Sequence, residues 1–123
     1  VTTTVVIVLA AVFFLGMGIF ALARPAALIR PFGITLPIAE SRAEVRAVYG
    51  GFGLAIAGML VLALTGHPAR EGILITVAAA LGGMAFGRLV SGLVDRPKDF
   101  YPNWFYFLVE IAGAAALWWA ATG

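Results

Sequence analysis

The amino-acid sequence predicts an all-α membrane protein, a four-transmembrane-helix antiparallel bundle forming one domain over residues 1–123. Three observations carry that prediction. The chain has 123 residues, 63% hydrophobic and only 11% charged, with a mean hydropathy of +1.04. An ordinary soluble domain is about a quarter charged and less than half apolar. So short a chain could not cover this apolar content with polar surface, and lipid is the solvent it expects. Four stretches each approach the roughly 20 apolar residues that cross about 30 Å of hydrocarbon as a helix. The links between them collect the prolines and most of the charges, which punctuate helices.

The first span is Val5 to Ala23. Ala21-Leu22-Ala23 has the small-x-small look of a cleavage site. However, no basic residue precedes the apolar run, which is long for a signal core, so it reads as a permanent helix. In the link that follows, Pro25, Pro31, Pro37 and Gly33 break regular structure. Its apolar residues, Leu28, Ile29, Phe32, Ile34 and Leu36, place it along the membrane surface. The second span, Val45 to Leu64, opens behind a candidate capping box of Ser41 and Glu44. A start with Pro37 in the first turn is the rival. Thr65-Gly66-His67-Pro68 is a tight link, and its lone histidine reads as a solvated loop residue rather than a metal ligand. The third span, Ile73 to Val94, is interrupted by Arg88 and ends at Asp95-Arg96-Pro97-Lys98-Asp99. Pro102-Asn103 opens the fourth, Trp104 to Ala121, which Glu110 interrupts. Tyr101, Trp104 and Tyr106 at one end, and Trp118 and Trp119 at the other, follow the pattern of interfacial aromatic anchors.

Basic residues set the expected orientation. The first and third links carry Arg24, Arg30, Arg42, Arg96 and Lys98, with Arg46 at their edge; the opposite side has Arg70 and the amino terminus. The excess of positive charge then puts those two links in the cytoplasm and both termini outside.

An unpaired charge at a helix centre costs roughly 2.5–3.5 kcal/mol on insertion scales, so Arg88 needs a partner. Arg88 lies seven residues before Asp95, and Glu110 seven residues after Asn103. At about 1.5 Å rise per residue, both sit roughly 10 Å inside the same boundary, on antiparallel neighbours. Glu110 is therefore the predicted partner. Residues three, four and seven apart share a helix face. Asn103, Tyr106, Phe107 and Glu110 align on span four; Leu81, Met84, Arg88, Gly92 and Asp95 on span three; Arg46, Tyr49, Gly50 and Gly53 on span two. Polar groups thus converge on one half of the bundle. Gly53 with Ala57, and Gly83 with Gly87 and Ser91, form small-residue stripes expected to let helices pack closely in lipid.

With no cysteine, disulfides, thiolate metal sites and cysteine nucleophiles are excluded; no histidine lies near the polar cluster, so no serine–histidine dyad or histidine-rich metal site is expected there. No cofactor or metal is expected. The basic residues are scattered, so nucleic acid is not an expected partner. Arg46-Ala-Val-Tyr49-Gly50-Gly51 opening a membrane helix, Gly87-Arg88 followed by Asp95, and Glu110 in the last span resemble a small bacterial membrane family, domain of unknown function 4345. Pro25 and the Phe32-Gly33 turn fit it too. The resemblance covers nearly the whole chain and implies four membrane helices with an arginine/glutamate core. It implies no activity. A bacterial cytoplasmic membrane follows as the expected location.

The leading expectation is a binding module. Arg46, Tyr49, Arg88 and Glu110 would hold the polar head of a membrane lipid or amphipathic small molecule, supported by Asn103, Tyr106 and Asp95. The plain alternative is a structural salt bridge, with the chain serving as an accessory subunit of a larger membrane complex or forming a homo-oligomer. A membrane enzyme or transporter with Glu110 as proton acceptor is the third reading. It is the thinnest, because no second acid accompanies that carboxylate and no inverted repeat is evident.

Overall fold

A computed structural model describes residues 2–123. Four long helices, each long and apolar enough to cross a membrane, form an antiparallel bundle: α1 (Thr2–Ala23), α2 (Ala39–Leu64), α3 (Arg70–Val94) and α4 (Phe100–Thr122). A short helix, Pro25–Ile29, and a tight turn, Arg30–Phe32, lie between α1 and α2. Gly33 ends that turn at φ 74°, a left-handed conformation that glycine adopts without strain. No strand occurs among the described residues.

In α4, Tyr101 is extended (φ -94°, ψ 135°), so its regular turns follow from Pro102, the predicted opening. The first three helices exceed the predicted spans at their starts, and one of these starts differs in kind. α2 begins at Ala39 behind an extended Ile38, with no side-chain cap. Ser41 and Glu44 therefore do not form the expected capping box, since Ser41 already lies inside the first turn. The earlier start places Glu40 in the first turn, where a carboxylate meets the positive end of the helix dipole. It also leaves Arg42 free to donate from Nη1 to Leu36 O at 3.2 Å, tying the link to the helix. His67 is exposed, and its Nδ1 accepts from Ala69 N–H at 3.0 Å, closing the turn into α3.

The bundle is a pair of pairs. α1 packs most extensively on α2 and α3 on α4, with thinner contact between the two pairs. Glycines make the first interface a backbone crossing. A Cβ on Gly18 would stand 2.9 Å from Gly50 O and Leu54 N, and one on Gly53 would stand 3.0 Å from Phe14 O. This is the close approach expected where the hydrophobic effect does not drive helix association. The Gly83–Gly87 stripe behaves otherwise. Neither position has a neighbour within reach of a Cβ, so this stripe faces outward and contributes nothing to packing within the chain. The expectation that it packs two helices is corrected: periodicity identifies a stripe of small residues but not the direction it faces.

The core is lopsided. Its main cluster takes Ile7, Ala11 and Phe14 from α1, Ala57, Leu60 and Ala63 from α2, Leu74, Val77 and Leu81 from α3, and Leu117 and Ala120 from α4. Its largest fully buried side chains, Ile7, Leu60, Leu74 and Leu117, lie toward the end closed by the 65–69 link, while Phe14 and Leu81 sit at mid-bundle. A smaller cluster of Ala21, Ile29 and Val45 seats the short helix on α1 and α2 at the other end. Between the clusters contact across the two pairs is sparse and leaves open space.

Candidate functional site

The space between the pairs is a cleft of about 830 Å³. α1 contributes Phe13, Met17 and Phe20, α2 Val48, Tyr49 and Phe52, and α3 Leu81, Met84 and Arg88. α4 contributes Tyr101, Tyr106 and Glu110, and the first link closes one end with Leu28, Pro31 and Phe32. Phe20, Phe52 and Met84 remain exposed, so the cleft opens sideways between the pairs.

Arg88 and Glu110 meet as their matched depth predicts. Nε donates to Oε1 at 2.7 Å and Nη2 to Oε2 at 3.1 Å, a two-pronged pair in which both carboxylate oxygens accept. Such a fork is the strong form of this contact. The carboxylate is the deeper partner, with 6% of its side chain exposed against 24% for the arginine. Two rings adjoin the guanidinium, Phe32 at 5.6 Å and Tyr106 at 5.5 Å, and these rings are themselves 5.6 Å apart. Their near-equal spacing means the rings form one wall beside the cation rather than a sandwich around it. Each supplies the electron-rich face that attracts a cation.

The remaining expected site residues divide. Tyr49 and Tyr106 line the cleft. Arg46 does not: its Nε donates to Leu22 O at 3.0 Å. That carbonyl belongs to the last turn of α1, where helix carbonyls lack intrahelical partners and a cation is favourable. Arg46 thus caps α1 from α2. The expectation that it faces the same cluster as Arg88 is corrected. A wide i→i+5 turn over Arg46–Gly51 separates these neighbours in direction, leaving Gly50 against Leu22 of α1 while Tyr49 lines the cleft. Wide turns of this kind recur at functional positions. Asn103 is outside the cleft lining, with its Nδ2 buried and unpaired among the described residues. Asp95 is exposed at the end of α3. Trp104 covers Gly92, leaving no space there for a Cβ.

Two contributors were not singled out for the site by sequence reasoning. The sequence pattern assigns Phe32 to a surface link and Tyr101 to an interfacial anchor, yet both line the cleft. The aromatic spacing from Tyr101 to Tyr106, whose rings lie 5.9 Å apart, was the available signal. Nothing local in the first link marks Phe32, because its reach to Arg88 depends on the path of a proline-broken segment.

A second, smaller groove of about 280 Å³ runs between α1 and α4 among Val6, Leu9, Val109, Ala112 and Ala116. Phe13, Phe14 and Leu81 line both spaces, so the groove continues the cleft toward the opposite end of the bundle.

This arrangement sits on a chain that matches the family model described as domain of unknown function, DUF4345, over residues 2–121. The chain belongs to the DUF4345 family. The match covers both helix pairs and the link that carries Phe32, so the cleft lies wholly inside the DUF4345 region. Comparisons with curated proteins and with solved structures return no match.

Proposed function

We propose that the chain is a membrane binding module holding a lipid or amphipathic small molecule in the cleft between its helix pairs. The head rests against Arg88, Glu110, Tyr49 and Tyr106, and the tail lies among the apolar side chains of α1, α2 and α3. The carrying observation is the cleft itself: about 830 Å³, largely apolar, with its charged pair gathered on one wall. Ligand sites for small molecules fall in this size range and share this make-up of apolar lining with a few convergent polar groups. On this reading the cleft end faces the cytoplasm of a bacterial inner membrane with both termini outside, an orientation that the excess of basic residues in the first and third links supports.

Gly16 provides a direct test. It lines the cleft, and a Cβ there would touch nothing. Gly16→Leu therefore projects a branched side chain into the binding space without disturbing the α1–α2 crossing. Native mass spectrometry of the gently extracted wild type is expected to find a co-purifying amphipath. The variant, with unchanged thermal stability, is expected to lose it. A wild type that carries no such molecule removes the support for this reading.

The accessory-subunit reading retains one specific observation, the outward Gly83–Gly87 stripe. On the binding-module reading, Gly83→Ala and Gly87→Ala leave the extracted particle's size unchanged. They also leave stability unchanged or raise it by up to about 1 kcal/mol each, since alanine is the better helix former. A heavier stoichiometric species that either substitution dissociates would favour the subunit reading.

A further inference from the structure

We infer that the cleft selects an uncharged, hydrogen-bond-accepting head group, so that the ligand is a neutral amphipath bearing a carbonyl, ester or ether oxygen rather than a lipid anion. This inference deepens the binding reading and rests on it.

Charge balance comes first. Among the described residues, Arg88 and Glu110 are the only Arg, Lys, Asp or Glu lining the cleft, and they already neutralise each other through two hydrogen bonds. Arg46, the second cation that an anionic head would need, is turned onto Leu22 O. An arriving anion would therefore add net charge to an intramembrane space, next to a carboxylate that is itself only 6% exposed. Unbalanced charge in such surroundings is disfavoured.

Hydrogen-bond capacity comes second. Glu110 engages one N–H on Nε and one on Nη2, while the guanidinium carries five. The others, on Nη1 and the free side of Nη2, have no partner among the described residues. The Phe32–Tyr106 wall lies beside the cation, leaving these N–H groups to serve an acceptor in the cleft. Unsatisfied donors in a low-dielectric setting are costly, so a neutral acceptor oxygen contributes here without upsetting the charge balance. The apolar groove beyond Phe13, Phe14 and Leu81 then extends the room for a chain.

Three probes with the same chain separate the possibilities: methyl hexadecanoate, hexadecyl sulfate and hexadecane. Each is titrated into the purified, delipidated full-length protein, and retention is read by native mass spectrometry, with the Gly16→Leu variant subtracting binding outside the cleft. The ester is expected to be retained roughly tenfold or more over the sulfate, and above hexadecane. Glu110→Gln, which leaves the guanidinium uncompensated, is expected to invert the ester–sulfate order. Sulfate retained as well as the ester by the wild type overturns the neutral-head inference but leaves a binding module standing. Hexadecane retained as well as the ester overturns it too, since no head is then recognised. If the wild type retains none of the three in its cleft, the binding reading falls and the inference with it. Where Glu110→Gln does not fold, the wild-type ranking decides alone.

Discussion

Replacing Arg88 with alanine is expected to cost about 3–5 kcal/mol of stability, the range seen when one partner of a buried ion pair is removed. The substitution strands the Glu110 carboxylate, 6% exposed, after deleting both of its hydrogen-bond donors. Glu110→Ala belongs at the lower end of the same range. The arginine left behind is 24% exposed and has a long apolar stem, so it can lean toward the boundary. The double replacement Arg88→Met with Glu110→Leu should recover most of the loss, because well-packed apolar residues in place of a buried pair are often neutral or stabilising. Unfolding of these proteins together with the double variant Arg88→Ala/Glu110→Ala in one detergent closes the cycle and measures the coupling. If the two single substitutions add without interaction, the pair is not what compensates the charge.

Gly18→Val is expected to be comparably severe. Overpacking a core costs typically about 1–3 kcal/mol because neighbours can adjust. Here the obstructing atoms are Gly50 O and Leu54 N, each 2.9 Å from where the Cβ would stand, and backbone does not step aside as a side chain can. The loss should therefore reach about 3 kcal/mol or separate α1 from α2 altogether. Gly16→Val, two residues along the same helix and facing open space, is the matched control. Equal unfolding midpoints for the two variants would show that the α1–α2 crossing is looser than its geometry implies.

Much of this fold is legible in the sequence, because bilayer thickness converts apolar run length into a count of spans. The Arg88–Glu110 pair is legible for a similar reason: helical rise converts sequence position into depth, and a short link makes the two helices neighbours. What escapes such arithmetic is direction. Arg46 sits at the expected edge, yet it serves a carbonyl of α1, because the end of that helix needs a donor and the guanidinium is within reach. Gly53 and Gly87 belong to stripes of the same spacing, but only the first meets another backbone. Phe32 joins the site from a segment whose course is set by three prolines and by the docking of Ile29 on Ala21 and Val45, a tertiary matter. The cleft exists because the large buried side chains gather toward one end of the bundle. That distribution emerges only when four helices are considered together.

The order in which the two ions are made has a consequence for biogenesis. Arg88 precedes Glu110 by 22 residues, so α3 leaves the ribosome with its cation before the answering anion has been translated. At about 5–20 residues per second, the wait lasts on the order of one to several seconds. Throughout that interval the translocon must either accept α3 with an orphan guanidinium or hold it at the lateral gate until α4 arrives. Insertion of the carboxyl-terminal hairpin as one unit would spare the guanidinium that interval, whereas insertion of α3 alone would require Arg88 to lean toward the boundary until Glu110 arrives.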